Sequence, residues 1–174
     1  MRTDPPPAKL VVSALFSRVD LEAPVIRELE KEFGPAELVS ERIPFVHTRY
    51  YEKEMGPGLE RRILSFRRLI PPDGLAEAKL RAQAIEDHYR GANGRRGVNL
   101  DPGLLGLQNF VLATHKGYAH RIYLGRGIRA DLTLIYAKGR FRPLEWTYPD
   151  YASSPILDLM ELIRGLFLRQ LRSG

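Results

Sequence analysis

The residue types best suited to chemistry in this chain are Asp101, His120 and Asp131. A histidine beside a carboxylate performs general acid–base work near neutral pH, and two histidines with an aspartate can hold a divalent metal. Spacing alone does not show that the three converge. Asp101 stands in Asn99-Leu100-Asp101-Pro102-Gly103, where Asp-Pro-Gly reads first as the start of a turn. Glu54, His115, Arg121 and Asp150 are further polar candidates. No Ser-His-Asp order, HExxH, Rossmann GxGxxG or Walker pattern is present, so no motif selects a cofactor, a metal or an enzymatic reaction.

For binding, Arg62, Arg121 and Arg129 could meet phosphate while Tyr123 and Trp146 stack a base. Tyr51 and Glu54 belong to a second dense cluster, from Phe45 to Gly58, that suits a long surface connection. Lone carboxylates such as Glu52 and Glu54 are also ordinary surface charges.

Most of these residues lie in a meander of strand-like runs after Asn99, punctuated by Lys116-Gly117, Gly125-Arg126-Gly127 and Lys138-Gly139 turns. Counting outward from the turns places Ala113, His120, Leu132 and Glu145 in one cross-strand row. Leu112, Arg121, Asp131 and Trp146 fall in the next, on the opposite face. One face then collects Val111, Ile122, Leu124, Ile128, Ala130, Leu132, Leu134, Tyr136 and Phe141 and reads as core. The other is polar, with Asp131 opposite Arg121 as an ion pair. It is either a solvated face or a ligand platform.

Before the meander, the Pro-rich leader over residues 1–8 precedes an apolar run from Lys9 to Phe16 that reads as a buried strand. Asp20 is a potential N-cap for a helix carrying Val25, Ile26, Leu29 and Phe33 and ending at Gly34. Strands over Glu37 to Phe45 and Leu59 to Ile70 follow. A second helix runs from Leu75 to Tyr89, with Glu77, Arg81 and Glu86 on its outer side. The basic loop from Gly91 to Gly97 follows a helix rather than a strand and lacks the order of a phosphate-binding loop. Ser153 or Ser154, with Pro155, opens a final helix with a broad apolar face.

The 174 residues suffice for one domain with a real core. The absence of cysteine excludes a disulfide framework and thiolate chemistry, and with no signal-peptide core it fits a cytoplasmic protein. A net charge of +6, carried mainly by arginine, favours anionic partners, although a GC-rich genome also raises arginine.

The segments Tyr50 to Gly56, Asn99 to Gly103, His120 to Ile128 and Trp146 to Tyr151 together resemble domain of unknown function 4416, a family of small bacterial proteins. The resemblance covers nearly the whole chain and implies no catalytic residues. Some relatives carry the label GTP-binding protein, for which this sequence supplies no P-loop. The expected architecture is α+β, a largely antiparallel sheet with two or three helices on one face. Its first half is compatible with a ferredoxin-like layout, followed by the meander and the final helix. The expected function is binding or processing of an anionic ligand, a nucleotide, RNA or phosphorylated metabolite, on the polar sheet face. The alternatives are a non-enzymatic protein-interaction module and a GTP-binding protein without a P-loop.

Overall fold

The run from Lys9 to Phe16 is apolar at nearly every position because both faces of the strand it forms are covered. In the computed structural model, which describes residues 4–173, this strand β1 (Ala8–Phe16) is buried along its whole length. Residues 4–7 of the expected leader are exposed and irregular, and residues 1–3 lie outside those described. Helix α1 (Glu22–Phe33) ends at Gly34, which takes a φ of 89° that favours glycine and whose N–H donates to the Glu30 carbonyl. Asp20 does not cap it. It pairs with Arg18 in a short 3-10 turn, and Leu21 occupies the cap position.

The expected strand from Glu37 to Phe45 is two pieces, β2 (Ala36–Val39) and β3 (Ile43–Pro44). At the break, the Ile63 N–H donates to the Ser40 hydroxyl at 2.9 Å, a side chain taking a place in the ladder. After the one-turn α2 (Glu52–Met55) come β4 (Glu60–Ile70), α3 (Leu75–His88) and β5 (Val98–Leu105). Strands β2, β4, β1 and β5 lie side by side in that order, all antiparallel. This is the split βαβ order of a ferredoxin-like layout. Helices α1 and α3 cover one face, packing Val25, Leu29, Ala82 and Ile85 on Leu10, Val12 and Ala14. The final helix α4 (Ser154–Ser173) covers the other, setting Ile156, Met160, Ile163 and Phe167 against the opposite-parity Val11 and Ile63. Among the described residues no helix is long and apolar enough to cross a membrane.

The meander extends the same sheet through β6 (Asn109–Thr114), β7 (Arg121–Gly125), β8 (Ile128–Ala137) and β9 (Arg140–Pro143), giving nine antiparallel strands among the described residues. Two expected turns form as tight hairpins, with positive φ at Arg126 and Gly127 and at Lys138 and Gly139. The third does not. Strand β6 pairs with β8, so the segment through Lys116-Gly117 is a connection passing to the far side of β8. The row of Leu112, Asp131 and Arg121 survives with Asp131 in the middle, but Leu132 faces Val111 and a register shift leaves Thr133 unmatched. That shift divides the expected core face. Ile128 and Ala130 pack under α1 and α3, whereas Leu134 and Phe141 join the α4 side. Ile122 and Leu124, on edge strand β7, are 72% and 45% exposed.

Strand β5 also passes straight through Asn99-Leu100-Asp101-Pro102-Gly103, against the expectation of a turn. Pairing with β1 continues along its whole length, but pairing with β6 begins only at Gly103. Leu100 directs its N–H and C=O away from β1. Pro102 has the same parity, so its donorless nitrogen faces the place where the β6 ladder would continue. The two strands part there. Helix α3 takes up the exposed edge: Leu100 N–H donates to Glu86 Oε1 at 2.5 Å, and Lys79 Nζ donates to Leu100 O at 2.8 Å. Glu86, expected on the outside of its helix, is 1% exposed for this reason.

Glu86→Ala strands a buried backbone N–H, and should lower stability by about 1–3 kcal/mol in urea denaturation. Glu77→Ala, on the solvent side of the same helix, should leave the urea midpoint essentially unchanged.

Candidate functional site

The parting of β5 from β6 opens a cleft of about 350 Å³, within the roughly 300–1,000 Å³ typical of small-molecule sites. Asn99 and Asp101 form its β5 wall, and Leu112, Ala113 and Thr114 its β6 wall. Lys79 and Gln83 enter from α3, Tyr51 from the segment beside α2, and Asp150 and Tyr151 from the turn before α4.

Five cationic side chains line the space, Arg61, Lys79, Arg96, Lys116 and Arg121, against three carboxylates, Asp101, Asp131 and Asp150. Each carboxylate is held. Lys79 Nζ lies 3.0 Å from Asp101 Oδ1, and Asn99 Nδ2 donates to Asp101 Oδ2 at 2.6 Å. Arg121 Nε donates to Asp131 Oδ2 at 2.7 Å. Asp150 pairs with Arg61. The arginines also fix the cleft's rim: Arg96 bonds Glu54 and reaches Asn99 Oδ1 at 2.7 Å, and Arg121 Nη1 donates to Lys116 O at 3.2 Å. Lys116 is exposed, its ammonium 3.8 Å from the centre of the Tyr50 ring.

Asp101, Asp131, Tyr51 and Arg121 therefore meet in the cleft, and Glu54 stands at its rim through Arg96. His120 lies behind, its Nε2 3.1 Å from Asp131 Oδ2 and its ring stacked on Trp146 at 4.9 Å. This corrects its expected place in a core-side row beside Leu132, because His120 precedes β7 and folds over toward Asp131. Trp146 donates from Nε1 to Leu132 O at 2.8 Å, and Thr147 Oγ1 donates to Thr133 O at 2.6 Å. These two residues satisfy β8 where β7 stops and β9 has not begun. Arg62, Tyr123 and Arg129 are not in the cleft. Arg62 shares the parity of Leu64 and binds Glu22 at 2.9 Å, and Arg129 lies 5.4 Å from the Tyr123 ring centre near the sheet edge. Among the described residues no three His, Asp or Glu side chains are placed to hold a metal.

Arg61, Lys79, Arg96 and Tyr151 also line the cleft, and no catalytic or binding motif marks them in the sequence. Arg61 had a usable signal, since it shares parity with Ile63 and Ser65 and so must enter a buried face of a central strand. The Gly91 to Gly97 loop contributes Arg96 but no phosphate cradle: the Gly91, Gly94 and Gly97 amides all donate within the loop or to Tyr89 O.

A family model described as Domain of unknown function (DUF4416) matches residues 6–167, in agreement with the resemblance carried by the motifs. No curated protein and no solved structure matches the chain.

Burial pushes the Asp101 carboxyl upward, but the Lys79 ammonium, the bonds from Lys79 and Asn99 and the nearby Arg61 charge outweigh it and hold it below its ordinary range. Asp101 is thus an ionised acceptor at neutral pH, able to orient a hydroxyl or take a proton but not to donate one. The stability it contributes is complete above its unfolded pKa of about 3.9 and is lost as pH falls through the lower folded value. Asp101→Asn should flatten the acid limb of the stability profile below about pH 4, measured by urea denaturation across that range.

Proposed function

The chain belongs to the DUF4416 family, and from that premise we propose that it is a cytoplasmic protein binding a small anionic ligand, a nucleotide or phosphorylated metabolite, in the cleft between β5 and β6. The observation that carries this reading is the convergence of five cationic side chains from separate segments on one small-molecule-sized space. Cations focused into a concave, partly desolvated site raise the local concentration of anions and hold them more strongly than they would on a flat face. The ligand platform is therefore the cleft beside Arg121 and Asp131, not the open sheet face, and an RNA would engage it through a terminus. Asp101 supports processing as well as binding, because an ionised carboxylate next to bound phosphate can position a nucleophilic hydroxyl or water.

A second reading has one observation in its favour. Edge strand β7 exposes Ile122, Tyr123 and Leu124 together, an apolar edge of the kind that pairs with another chain. It favours a protein-interaction module.

A thermal-shift series with nucleoside mono- and diphosphates, phosphorylated sugars and short RNA separates these. A ligand at about a hundred times its Kd adds about 2.7 kcal/mol, a rise of roughly 5 °C or more at this size. Arg121 is tied to Asp131, Lys116 O and Tyr148, so its removal reports on structure. Lys116→Ala is the cleaner variant. It should leave the unliganded melting temperature unchanged and weaken binding several-fold, more at low salt than at high. No shift with any phosphorylated compound would leave the edge-strand reading standing.

A further inference from the structure

Four of the exposed aromatic rings among the described residues already have a partner. Tyr50 has the Lys116 ammonium 3.8 Å from its ring centre, and Tyr123 has the Arg129 guanidinium at 5.4 Å. Tyr118 meets His120 edge-on at 5.3 Å, and Trp146 stacks on the same imidazole at 4.9 Å. Tyr148 differs. It lines the cleft and is 52% exposed, and among the described residues no aromatic ring or cation packs over its ring. It is nonetheless held at both ends: its hydroxyl accepts from Arg121 Nη2 at 3.3 Å, and its carbonyl accepts from the Ala152 N–H at 3.1 Å. A ring fixed in this way and left open on its face is a preorganised stacking platform. The two rings expected to stack a base are placed otherwise, since Tyr123 is outside the cleft and Trp146 is taken by His120.

The cations of the cleft differ among themselves in the same way. Arg61, Lys79, Arg96 and Arg121 each pair with a carboxylate, whereas Lys116 pairs with none among the described residues. Arg121 ties this free ammonium's segment to the open ring, because its Nη1 donates to Lys116 O at 3.2 Å while its Nη2 holds Tyr148. An uncovered aromatic face and an unmatched positive charge, joined through one guanidinium, correspond to the two halves of a nucleotide. A sugar phosphate would use only the second. Resting on the cleft reading above, we infer that the ligand is a single nucleotide whose base stacks on Tyr148 and whose phosphate meets Lys116. Stacking uses the face that every base has, so the platform recognises the presence of a base and leaves its edges unread. The cavity of about 350 Å³ lies near the lower end of the range for small-molecule sites, and suits one nucleotide rather than an extended strand.

AMP and ribose 5-phosphate differ only in the base, and calorimetric titration of each into the wild-type chain and its variants isolates the platform. The wild type should bind AMP about tenfold more tightly than ribose 5-phosphate. Tyr148→Ala should erase that margin and leave the affinity for ribose 5-phosphate unchanged, whereas Tyr148→Phe, which keeps the ring, should retain most of it. Tyr148→Trp enlarges the ring and should widen the margin, so the test stands even where the alanine variant folds poorly. Lys116→Ala should weaken both compounds by a similar factor. Equal affinity of the wild type for the two compounds, or a margin that persists in Tyr148→Ala and does not change in Tyr148→Trp, would overturn the platform. In either of those cases the cleft reading survives, because a phosphate still binds through Lys116. If neither these compounds nor any other phosphorylated molecule binds, both fail.

Discussion

The peptide of Leu100 is the point on which the site depends. A strand edge that leaves its neighbour inside a protein exposes donors and acceptors that are unfavourable to bury, on the order of 1–3 kcal/mol for each unsatisfied group. Here both groups of one residue are taken by charged side chains of α3, Lys79 on the carbonyl and Glu86 on the N–H. Burial of either charge alone would be strongly unfavourable. Together, with Asp101 on Lys79 and Arg96 Nη1 3.7 Å from Glu86 Oε2, they form a network whose members compensate one another. Burial still pushes the Glu86 carboxyl above its ordinary range, which marks how dry the position is.

The cleft also sits at a junction. On one side lies the ferredoxin-like order β2-β4-β1-β5, on the other the meander, and Pro102 ends the ladder between them part-way along. The sheet stays continuous because α4 lies across the opposite face, bringing Val11 and Ile63 of the first half together with Phe110, Leu134 and Phe141 of the second. A fork at one end and a helix bracing the back let two strands separate without separating the two halves.

Local chemistry made much of this legible in the sequence, and non-local pairing hid the rest. The Arg126-Gly127 and Lys138-Gly139 turns, the apolar run of β1 and the stripes of α1 and α4 follow from rules acting within a few residues. Asp101-Pro102-Gly103 misleads by the same rules, because its turn preference gives way to the β1 ladder on one side and to helix side chains on the other. Lys79 and Glu86 look like ordinary polar residues of an amphipathic helix, since nothing near them announces the unpaired strand that they serve. Arg121 and Asp131 are legible because cross-strand counting survives a change in strand order. The alternation of Ile122 and Leu124 reads as core although β7 is an edge, because edge position is set by the long-range choice of β6 for β8.

The pairing inside the cleft bears on how it could recognise a ligand. With each lining carboxylate already matched to a cation, the excess charge is modest and attraction alone would discriminate little between anions. What the pairs supply is orientation. Asp150 fixes one end of Arg61, Asp131 fixes Arg121, and Asn99 and Lys79 fix Asp101, so long side chains that would otherwise lose rotamer freedom on binding have already lost it on folding. A flexible cluster of arginines would bind many polyanions. A cleft whose donors are held in place before the ligand arrives selects by the directions of its N–H and O–H groups, and the geometry of the oxygens then matters more than the total charge they carry.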